Sequence, residues 1–225
     1  MIKRIYSLPQ GFDPVDYHSG KIFAYYRAYG GKYDFCSFYS SDDAVIMLNS
    51  SNAVIYGKAD RECAELISLL GAQSAECAVR IDIDGYSAHE VYLCCGKPFA
   101  AEKAEVKTEV AFGDVERVFS PSFPGIPADA YYTDLSHRVR HGVSKAFLYR
   151  DSFCELSFGA GGYSFLSAVC TAPESRGTGQ MNRLLGSLDI GSDLAVICEK
   201  ELLPFYEKIG MKKKRTYFRM TKDNA

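Results

Sequence analysis

One segment in the second half of the chain carries residue types that bind anions. It runs from Thr171 to Leu185 and passes from a β-type run, through a loop with two glycines, into an amphipathic helical pattern. Pro173 ends the strand because proline cannot donate to a β-ladder, whereas Gly177 and Gly179 let the backbone turn with its N–H groups inward. The N-terminus of the following helix adds the positive end of its dipole. The pattern predicts a site that holds a phosphate or pyrophosphate mainly through main-chain groups.

Two common nucleotide-binding patterns do not occur in this segment. The Rossmann fingerprint requires G-x-G-x-x-G, and the P-loop requires G-x-x-x-x-G-K-[ST]. Neither spacing is present between residues 171 and 185. The sequence therefore excludes these two modes of phosphate binding here.

Two motifs resemble one known family. The run Arg176-Gly-Thr-Gly-Gln180 resembles the acyl-CoA loop [QR]-x-x-G-x-[GA] of the GNAT superfamily of N-acetyltransferases, and Leu203-Pro-Phe-Tyr-Glu-Lys-Ile-Gly-Met211 is similar to that superfamily's F-Y-x-x-x-G-F helix end. The motifs come in the family's order, and the resemblance covers roughly residues 127–221. The tract 132–142 also looks similar to a segment of two-part clostridial-type members. At position 181 the chain has Met where the family has Gly or Ala, and its helical register with Leu184 predicts a side chain turned to the core.

The resemblance implies an enzyme that transfers the acetyl group of acetyl-CoA to a small-molecule amine. By analogy, the strand end offers main-chain groups to the pantetheine arm and the thioester oxygen, and residues 176–181 hold the pyrophosphate. The implied cofactor-binding residues are Cys170, Thr171, Arg176, Gly177, Thr178, Gly179, Gln180 and Met181. Tyr206, placed by the second motif, is the implied acid, since a phenol with a pKa of about 10 can protonate a leaving thiolate.

The general base is open at this stage. Glu155 lies in a predicted strand and could act directly or through water if its pKa is raised; the alternative is an exposed strand carboxylate. His137 and His141 stand four apart on one predicted helix, but two histidines without further ligands do not predict a metal site. Arg138 of the same helix is expected on a solvated face.

The elements around these residues follow from hydrophobic periodicity and turn signals. In the first half, strands are predicted at residues 33–39, 44–48, 53–56, 75–83 and 87–95, with a helix after Asp60 that ends at Gly71. In the second half, a helix after Pro127 precedes strands at 145–149, 153–158 and 163–170, then a helix around Leu184, a buried strand at 194–198, a helix at 202–209 and a strand at 215–220. Each half thus has a strand-rich run followed by a helix.

This order predicts an α/β (α+β mixed) protein with a GNAT-like, mostly antiparallel sheet flanked by helices. The Pro- and charge-rich residues 96–127 indicate a junction. We therefore expect a divergent, smaller N-terminal α/β domain over residues 1–115, a degenerate GNAT-like half, and a GNAT-like acyl-CoA-binding catalytic domain over residues 116–225.

Composition bounds the remaining functions. The 225 residues are 47% hydrophobic and carry a formal net charge of −2, which is ordinary for a globular protein and argues against nucleic-acid binding. Residues 1–115 carry 11 basic and 16 acidic groups and residues 116–225 carry 15 and 12, so the second half suits an anionic ligand better. No apolar run reaches the 18–20 residues or so of a membrane span. Eight cysteines without a C-x-x-C pair predict buried thiols in a reducing compartment, and hence a cytoplasmic protein.

Two other classes of function stay open beside the transferase. One is a CoA-binding protein on the same fold that has lost catalysis, because fold does not fix function. The other is a protein-interaction module whose cleft holds a peptide. The expected partners of the transferase are acetyl-CoA and the amine, with neither nucleic acid nor membrane. The sequence leaves the oligomeric state open, a homodimer included.

Overall fold

The computed structural model describes residues 1–100 and 102–223, which form two compact units. The first unit contains Met1–Leu93, Cys198–Lys200 and the C-terminal residues from Lys214. The second contains Cys94–Ile197 and Glu201–Lys213. The sequence-based boundary between residues 115 and 116 thus lies inside the second unit. The closing strand was predicted in the C-terminal domain, but its residues from Lys214 belong to the first unit.

The described residues form eleven strands and six α-helices. In chain order they are β1 (Lys3–Ile5), α1 (Tyr17–Tyr29), β2 (Cys36–Ser40), β3 (Ala44–Asn49), β4 (Asn52–Gly57), α2 (Arg61–Leu69), β5 (Ser74–Cys77), β6 (Tyr86–Gly96), α3 (Phe112–Phe119), α4 (Ala128–Arg140), β7 (Lys145–Tyr149), β8 (Ser152–Ala160), β9 (Tyr163–Thr171), α5 (Gln180–Ser187), β10 (Asp193–Cys198), α6 (Leu203–Lys208) and β11 (Lys212–Lys222).

The first unit is built on the strands β1 to β5. β1, β2, β3 and β4 pair in antiparallel order, the crossover through α2 makes β5 parallel to β4, and β11 pairs antiparallel with β5. The Asp60 carboxylate caps α2 by accepting from the Cys63 N–H at 3.2 Å, as the sequence predicts. Cys63 and Ile67 of this helix join the buried cluster formed by the inner faces of β3, β4 and β5.

A charged cluster also lies within the first unit. Glu76 on β5 accepts from Lys21 Nζ at 2.9 Å, from Arg219 Nη2 at 2.8 Å and from the Tyr17 hydroxyl at 2.9 Å. Burial alone would raise the pKa of Glu76, but the two cations hold it below its usual value. The neighbouring His18 is buried, and neither of its ring nitrogens has a hydrogen-bond partner among the described residues.

The second unit repeats the same order of elements. Strands β7, β8 and β9 form an antiparallel meander, α5 crosses over, and β10 lies parallel to β9. Helices α3 and α4 precede the meander, and their apolar side chains pack with Phe153, Cys170 and the β7 residues Ala146 and Leu148. The predicted fold class, a mixed α/β protein with mostly antiparallel sheet flanked by helices, is confirmed.

The structure differs from the sequence-based elements at four places. Strand β1 and helices α1 and α3 were not predicted, and the strand expected at 75–83 is confined to Ser74–Cys77. The segment expected to be a junction is also hydrogen-bonded to helix α5: Lys103 Nζ donates to the Gly186 carbonyl at 2.7 Å. In residues 1–100 and 102–223, no helix is both long enough and apolar enough to span a membrane.

Candidate active site

The loop between β9 and α5 has the backbone geometry of an anion cradle. A single turn of 3₁₀-helix, Pro173–Ser175, follows the strand, and the chain then passes through Gly177 and Gly179, each with φ at +78°. L-residues with side chains adopt this left-handed conformation at a cost, so glycine suits both positions. A Cβ added at either glycine would meet nothing within 4 Å, so the constraint is conformational and the space beside the loop is open.

The main-chain N–H groups of this loop are available to a ligand. Gly179 is the N-cap of α5 and provides no side-chain cap. The first hydrogen bond of the helix is donated by the Arg183 N–H to the Gly179 carbonyl at 3.1 Å. Within the part of the chain that the structure describes, no acceptor takes a hydrogen bond from the N–H groups of residues 177–182. Several unpaired donors at the positive end of a helix dipole form an anion-binding site.

The side chains of the loop support this backbone course. Thr178 Oγ1 donates to the Ser175 carbonyl at 2.6 Å, and Arg176 Nε donates to the Thr171 carbonyl at 3.1 Å, which holds the exposed guanidinium at the loop. Gln180 Oε1 accepts from the Asp151 N–H at 3.0 Å. Met181 is buried, so its predicted turn toward the core is confirmed and its side chain leaves the loop open.

Strands β9 and β10 separate just before this loop. Their parallel pairing runs from Tyr163 with Asp193 to Leu166 with Val196, although β9 continues to Thr171. The β10 side of residues 167–171 therefore presents main-chain groups outside the parallel ladder, as an extended ligand would require. The main-chain groups of Cys170 and Thr171, which the resemblance implies for the pantetheine arm, lie in this stretch. The Cys170 side chain is buried, and burial raises the pKa of its thiol to about 12.

Strand β9 also contains a β-bulge that the sequence did not indicate. Phe153 pairs with Cys170 and Glu155 with Ser167, so β9 has one residue more than β8 over this stretch. Ala168 lies within the bulge with φ at +48°. Bulges redirect main-chain groups and are common beside active sites. Alanine carries no turn signal, so nothing at position 168 marks the bulge in the sequence.

Tyr206 lies on α6 of the same unit. Pro204 stands in the first turn of this helix, where its missing N–H is tolerated. The Tyr206 ring is buried and meets Phe205 edge to face, with centroids 5.1 Å apart. Its carbonyl accepts from the Met211 N–H at 3.0 Å, which ties the end of the helix to the start of β11.

Glu155 is the centre of a buried polar network rather than an exposed carboxylate. Arg138 Nη1 and Nη2 both donate to it, the latter at 3.2 Å. The Tyr131 hydroxyl donates to Oε2 at 2.9 Å and Ser167 Oγ to the same oxygen at 3.1 Å. Arg138 is itself buried, so the expectation that it lies on a solvated face is wrong: burial beside a carboxylate on β8 outweighs the polarity of the helix surface.

The pKa of Glu155 is lowered, whereas general-base catalysis would require a raised pKa. Burial alone would raise this pKa, but the charge of Arg138 and hydrogen bonds from Arg138 and Tyr131 hold it below its usual value. A raised pKa was the condition for the base hypothesis, and it is not met. The hydrogen bonds to both carboxylate oxygens favour a structural role for Glu155.

Comparison with known proteins identifies the fold. Neither a family model nor a curated protein sequence matches the chain. An acetyltransferase assigned to the GNAT family from Novosphingobium aromaticivorans matches 93% of this chain and 100% of its own, with a TM-score of 0.57 and 15% identity. The chain has the GNAT fold.

Two further GNAT structures show how far this likeness extends. A tandem GNAT protein from the clavulanic acid biosynthesis pathway matches 83% of this chain and 82% of its own, with a TM-score of 0.53 and 9% identity. A GCN5-related N-acetyltransferase from Kribbella flavida matches 83% of this chain and 89% of its own, with a TM-score of 0.54 and 14% identity. The family resemblance drawn from two motifs is confirmed at the level of the fold.

The two units differ at the crossover helix of this GNAT fold. In the first unit, β4, α2 and β5 follow the same order as β9, α5 and β10 in the second. The N-terminus of α2 is filled by the Asp60 carboxylate, whose pKa is lowered chiefly by the hydrogen bond from the Cys63 N–H. The N-terminus of α5 begins at Gly179 and has no such group. Only the second unit therefore offers an open helix N-terminus at this topological position.

The histidine pair of α4 does not form part of this constellation. The rings of His137 and His141 lie 4.3 Å apart at the end of the helix. Among the described residues, no group of three His, Cys, Asp or Glu side chains is arranged to hold a metal ion.

The predicted cofactor-binding residues lie together at the end of β9 and the start of α5. They are Cys170, Thr171, Arg176, Gly177, Thr178, Gly179, Gln180 and Met181.

Proposed function

We propose that this protein is an N-acetyltransferase that transfers the acetyl group of acetyl-CoA to a small-molecule amine. The observation that carries the proposal is the loop of residues 176–181, with unpaired N–H groups at the uncapped start of α5. Two phosphates linked by one oxygen present several acceptors to such a row of donors. The open β10 side of residues 167–171 supports an extended pantetheine arm that continues the ladder of β9.

The proposed chemistry is the attack of an amine nitrogen on the thioester carbonyl carbon. The C–N bond forms, the C–S bond breaks, and the CoA thiolate leaves with a proton from Tyr206. The amine enters as the free base, and the proton that it loses on acylation passes to a base or to water. A main-chain N–H near the β9 bulge at Ala168 would stabilise the carbonyl oxygen as it gains charge.

Tyr206 has more support as a catalytic residue than Glu155. Tyr206 is buried in the unit that carries the loop, and the family resemblance assigns it to the thiolate. Glu155 is proposed only as an indirect contributor, because its lowered pKa and its hydrogen bonds from Arg138 suit it poorly to accept a proton. We therefore propose that the substrate ammonium loses its proton to water, either in solution or in the site, before the amine attacks.

A CoA-binding protein without transferase activity is the second candidate. The observation in its favour is the same Glu155 network, since it removes the carboxylate that the sequence offered as the base. Under either candidate we propose a cytoplasmic protein, because eight buried cysteines suit a reducing compartment.

The test of the transferase is release of the CoA thiol. The full chain is incubated with acetyl-CoA and a panel of primary amines that includes polyamines, amino acids and aminoglycosides, and free thiol is followed with a colorimetric disulfide. Thiol release that requires both the protein and one class of amine supports the transferase. Binding of acetyl-CoA without thiol release in any mixture supports the second candidate instead.

A further inference from the structure

The turn between β7 and β8 lies against the phosphate-binding loop. Two residues, Arg150 and Asp151, connect the strands, and Tyr149 pairs with Ser152 across the turn. Arg150 has φ at +53°, a left-handed conformation that a non-glycine residue adopts only where its surroundings hold it. The turn thereby brings Asp151 to the segment between β9 and α5.

Asp151 makes three hydrogen bonds to this segment, at its beginning, middle and end. Its carbonyl accepts from the Ala172 N–H at 2.9 Å, directly after β9. Its Oδ2 accepts from Ser175 Oγ at 2.7 Å, and its N–H donates to Gln180 Oε1 at 3.0 Å in the first turn of α5. A single residue of the turn thus fixes both ends of the loop and the 3₁₀ turn inside it.

Arg117 neutralises the charge of Asp151. Its Oδ1 accepts from Arg117 Nη1, and Arg117 Nη2 donates to the Arg150 carbonyl at 3.0 Å. The hydrogen bond from Ser175 and the charge of Arg117 hold the pKa of Asp151 below its usual value, so the group is ionised at neutral pH. An uncompensated carboxylate beside the loop would repel a pyrophosphate, whereas this pair adds no net charge.

We propose that Asp151 is a positioning residue that holds the loop of residues 172–180 in its pyrophosphate-binding conformation before the ligand binds. Its contacts go to Ala172, Ser175 and Gln180, and it leaves the N–H groups of residues 177–182 unpaired. A loop that is already ordered loses less conformational entropy on binding. The inference rests on the proposed function, because it concerns the same pyrophosphate site.

The first arm of the experiment compares CoA binding by calorimetry in the wild-type chain and in three variants. Asp151→Ala keeps the two main-chain hydrogen bonds and removes the carboxylate bonds to Ser175 and Arg117. We expect its Kd for CoA to rise about tenfold, as for the loss of a charged hydrogen bond. Asp151→Asn keeps an acceptor for Ser175, so its Kd is expected to stay within about threefold of the wild-type value. Asp189→Ala, which removes an exposed carboxylate after α5, is the matched control with wild-type affinity.

The second arm uses pantetheine, which has no pyrophosphate. Its weak binding, followed by NMR line broadening, is expected to be the same in Asp151→Ala and in the wild type, since only the phosphate loop loses its support. Equal CoA affinity in Asp151→Ala and wild type would overturn the positioning role while leaving the proposed function intact. Equal loss of pantetheine and CoA would also overturn it, because the damage would then extend beyond the loop. A wild-type chain that binds no CoA would overturn the proposed function and this inference with it.

Discussion

At the scale of single residues, the candidate site depends on main-chain donors held by two glycines. Gly177 and Gly179 both have φ at +78°, and the second of them starts α5 without a side-chain cap. In the proposed site the loop would bind its ligand through its conformation, so a change of conformation should affect binding more than a change of nearby charge.

Replacing Gly179 by valine tests this dependence. A β-branched residue is strained at this φ, so the loop should rearrange and the Kd for CoA should rise at least tenfold. Gly191→Val is the matched control, because Gly191 has φ at +70°, and a Cβ there also meets nothing within 4 Å. Calorimetry with CoA should show wild-type affinity for the control. Unchanged affinity in Gly179→Val would mean that the loop does not hold the ligand.

Tyr206→Phe separates proton donation from binding. The substitution keeps the buried ring and its edge-to-face contact with Phe205 but removes the hydroxyl. Turnover should fall about 10²-fold or more, the scale of one general-acid step, while the affinity for acetyl-CoA stays unchanged. Steady-state thiol release together with calorimetry measures both quantities. If turnover is the same in the variant, Tyr206 is not the acid.

His18 of the first unit makes folding stability depend on pH. Its ring lies 4.7 Å from that of Tyr217, and burial lowers its pKa to about 4, with Asp16, Glu76 and Lys21 as its charged neighbours. The unfolded state, with the ordinary pKa of 6.5 or so, binds the proton more readily, so stability should fall as the pH drops from about 6.5 to 4.

The measurement compares urea unfolding at pH 7.5 and pH 5 in His18→Leu and in the wild type. The wild type should lose about 2 kcal/mol more than His18→Leu between these pH values. A variant at the exposed His141 should keep the wild-type loss. Equal losses in His18→Leu and the wild type would show that His18 does not titrate in this window.

At the scale of elements, the buried pair Arg138–Glu155 links α4 to β8. Breaking such a pair from one side leaves a buried charge without its partner, whereas replacing both groups by apolar residues does not. Arg138→Met and Glu155→Leu should each lower the free energy of unfolding by about 3–5 kcal/mol, and the double variant by clearly less than the sum. Denaturant unfolding of the four proteins measures the coupling. Additive losses would contradict a direct link between helix and strand.

The sequence predicted those elements whose periodicity was clear. The strands around Leu148 and Cys170 and the crossover helix with Leu184 lie where apolar spacing and glycine signals put them. Helix α1 was not predicted because it buries His18, Ser19 and Gly20 along with apolar side chains, so its buried face carries no hydrophobic stripe. Helix α3 was not predicted because its short apolar pattern stands between proline-rich and charged segments.

The site was predictable where a local motif defined it and not where distant residues meet. Gly177 and Gly179 could be placed from the loop pattern alone. The burial of Arg138 could not, because it follows from the tertiary contact of α4 with Glu155 on β8. The bulge at Ala168 depends on the register of two strands, which the alternation of residues does not encode.

At the scale of the whole molecule, the described residues contain the same order of elements twice, but of the two crossover helices only α5 has an open N-terminus. The loop before α5 offers unpaired N–H groups, whereas Asp60 fills the corresponding helix terminus before α2. A carboxylate at that position both satisfies the donors and repels a phosphate. We therefore propose a single CoA site in each chain, in the second unit.

Titration calorimetry of the purified full chain with acetyl-CoA tests this central claim most directly, with CoA as a second ligand and ATP as the control. We expect micromolar binding of acetyl-CoA and CoA at one site per chain, and much weaker binding of ATP, which lacks the pantetheine arm that β9 would hold. No heat of binding at millimolar acetyl-CoA would contradict the account, and a peptide-binding module would then be the better description of the cleft. Two equivalent sites per chain would contradict the assignment of Asp60 as the group that closes the first unit.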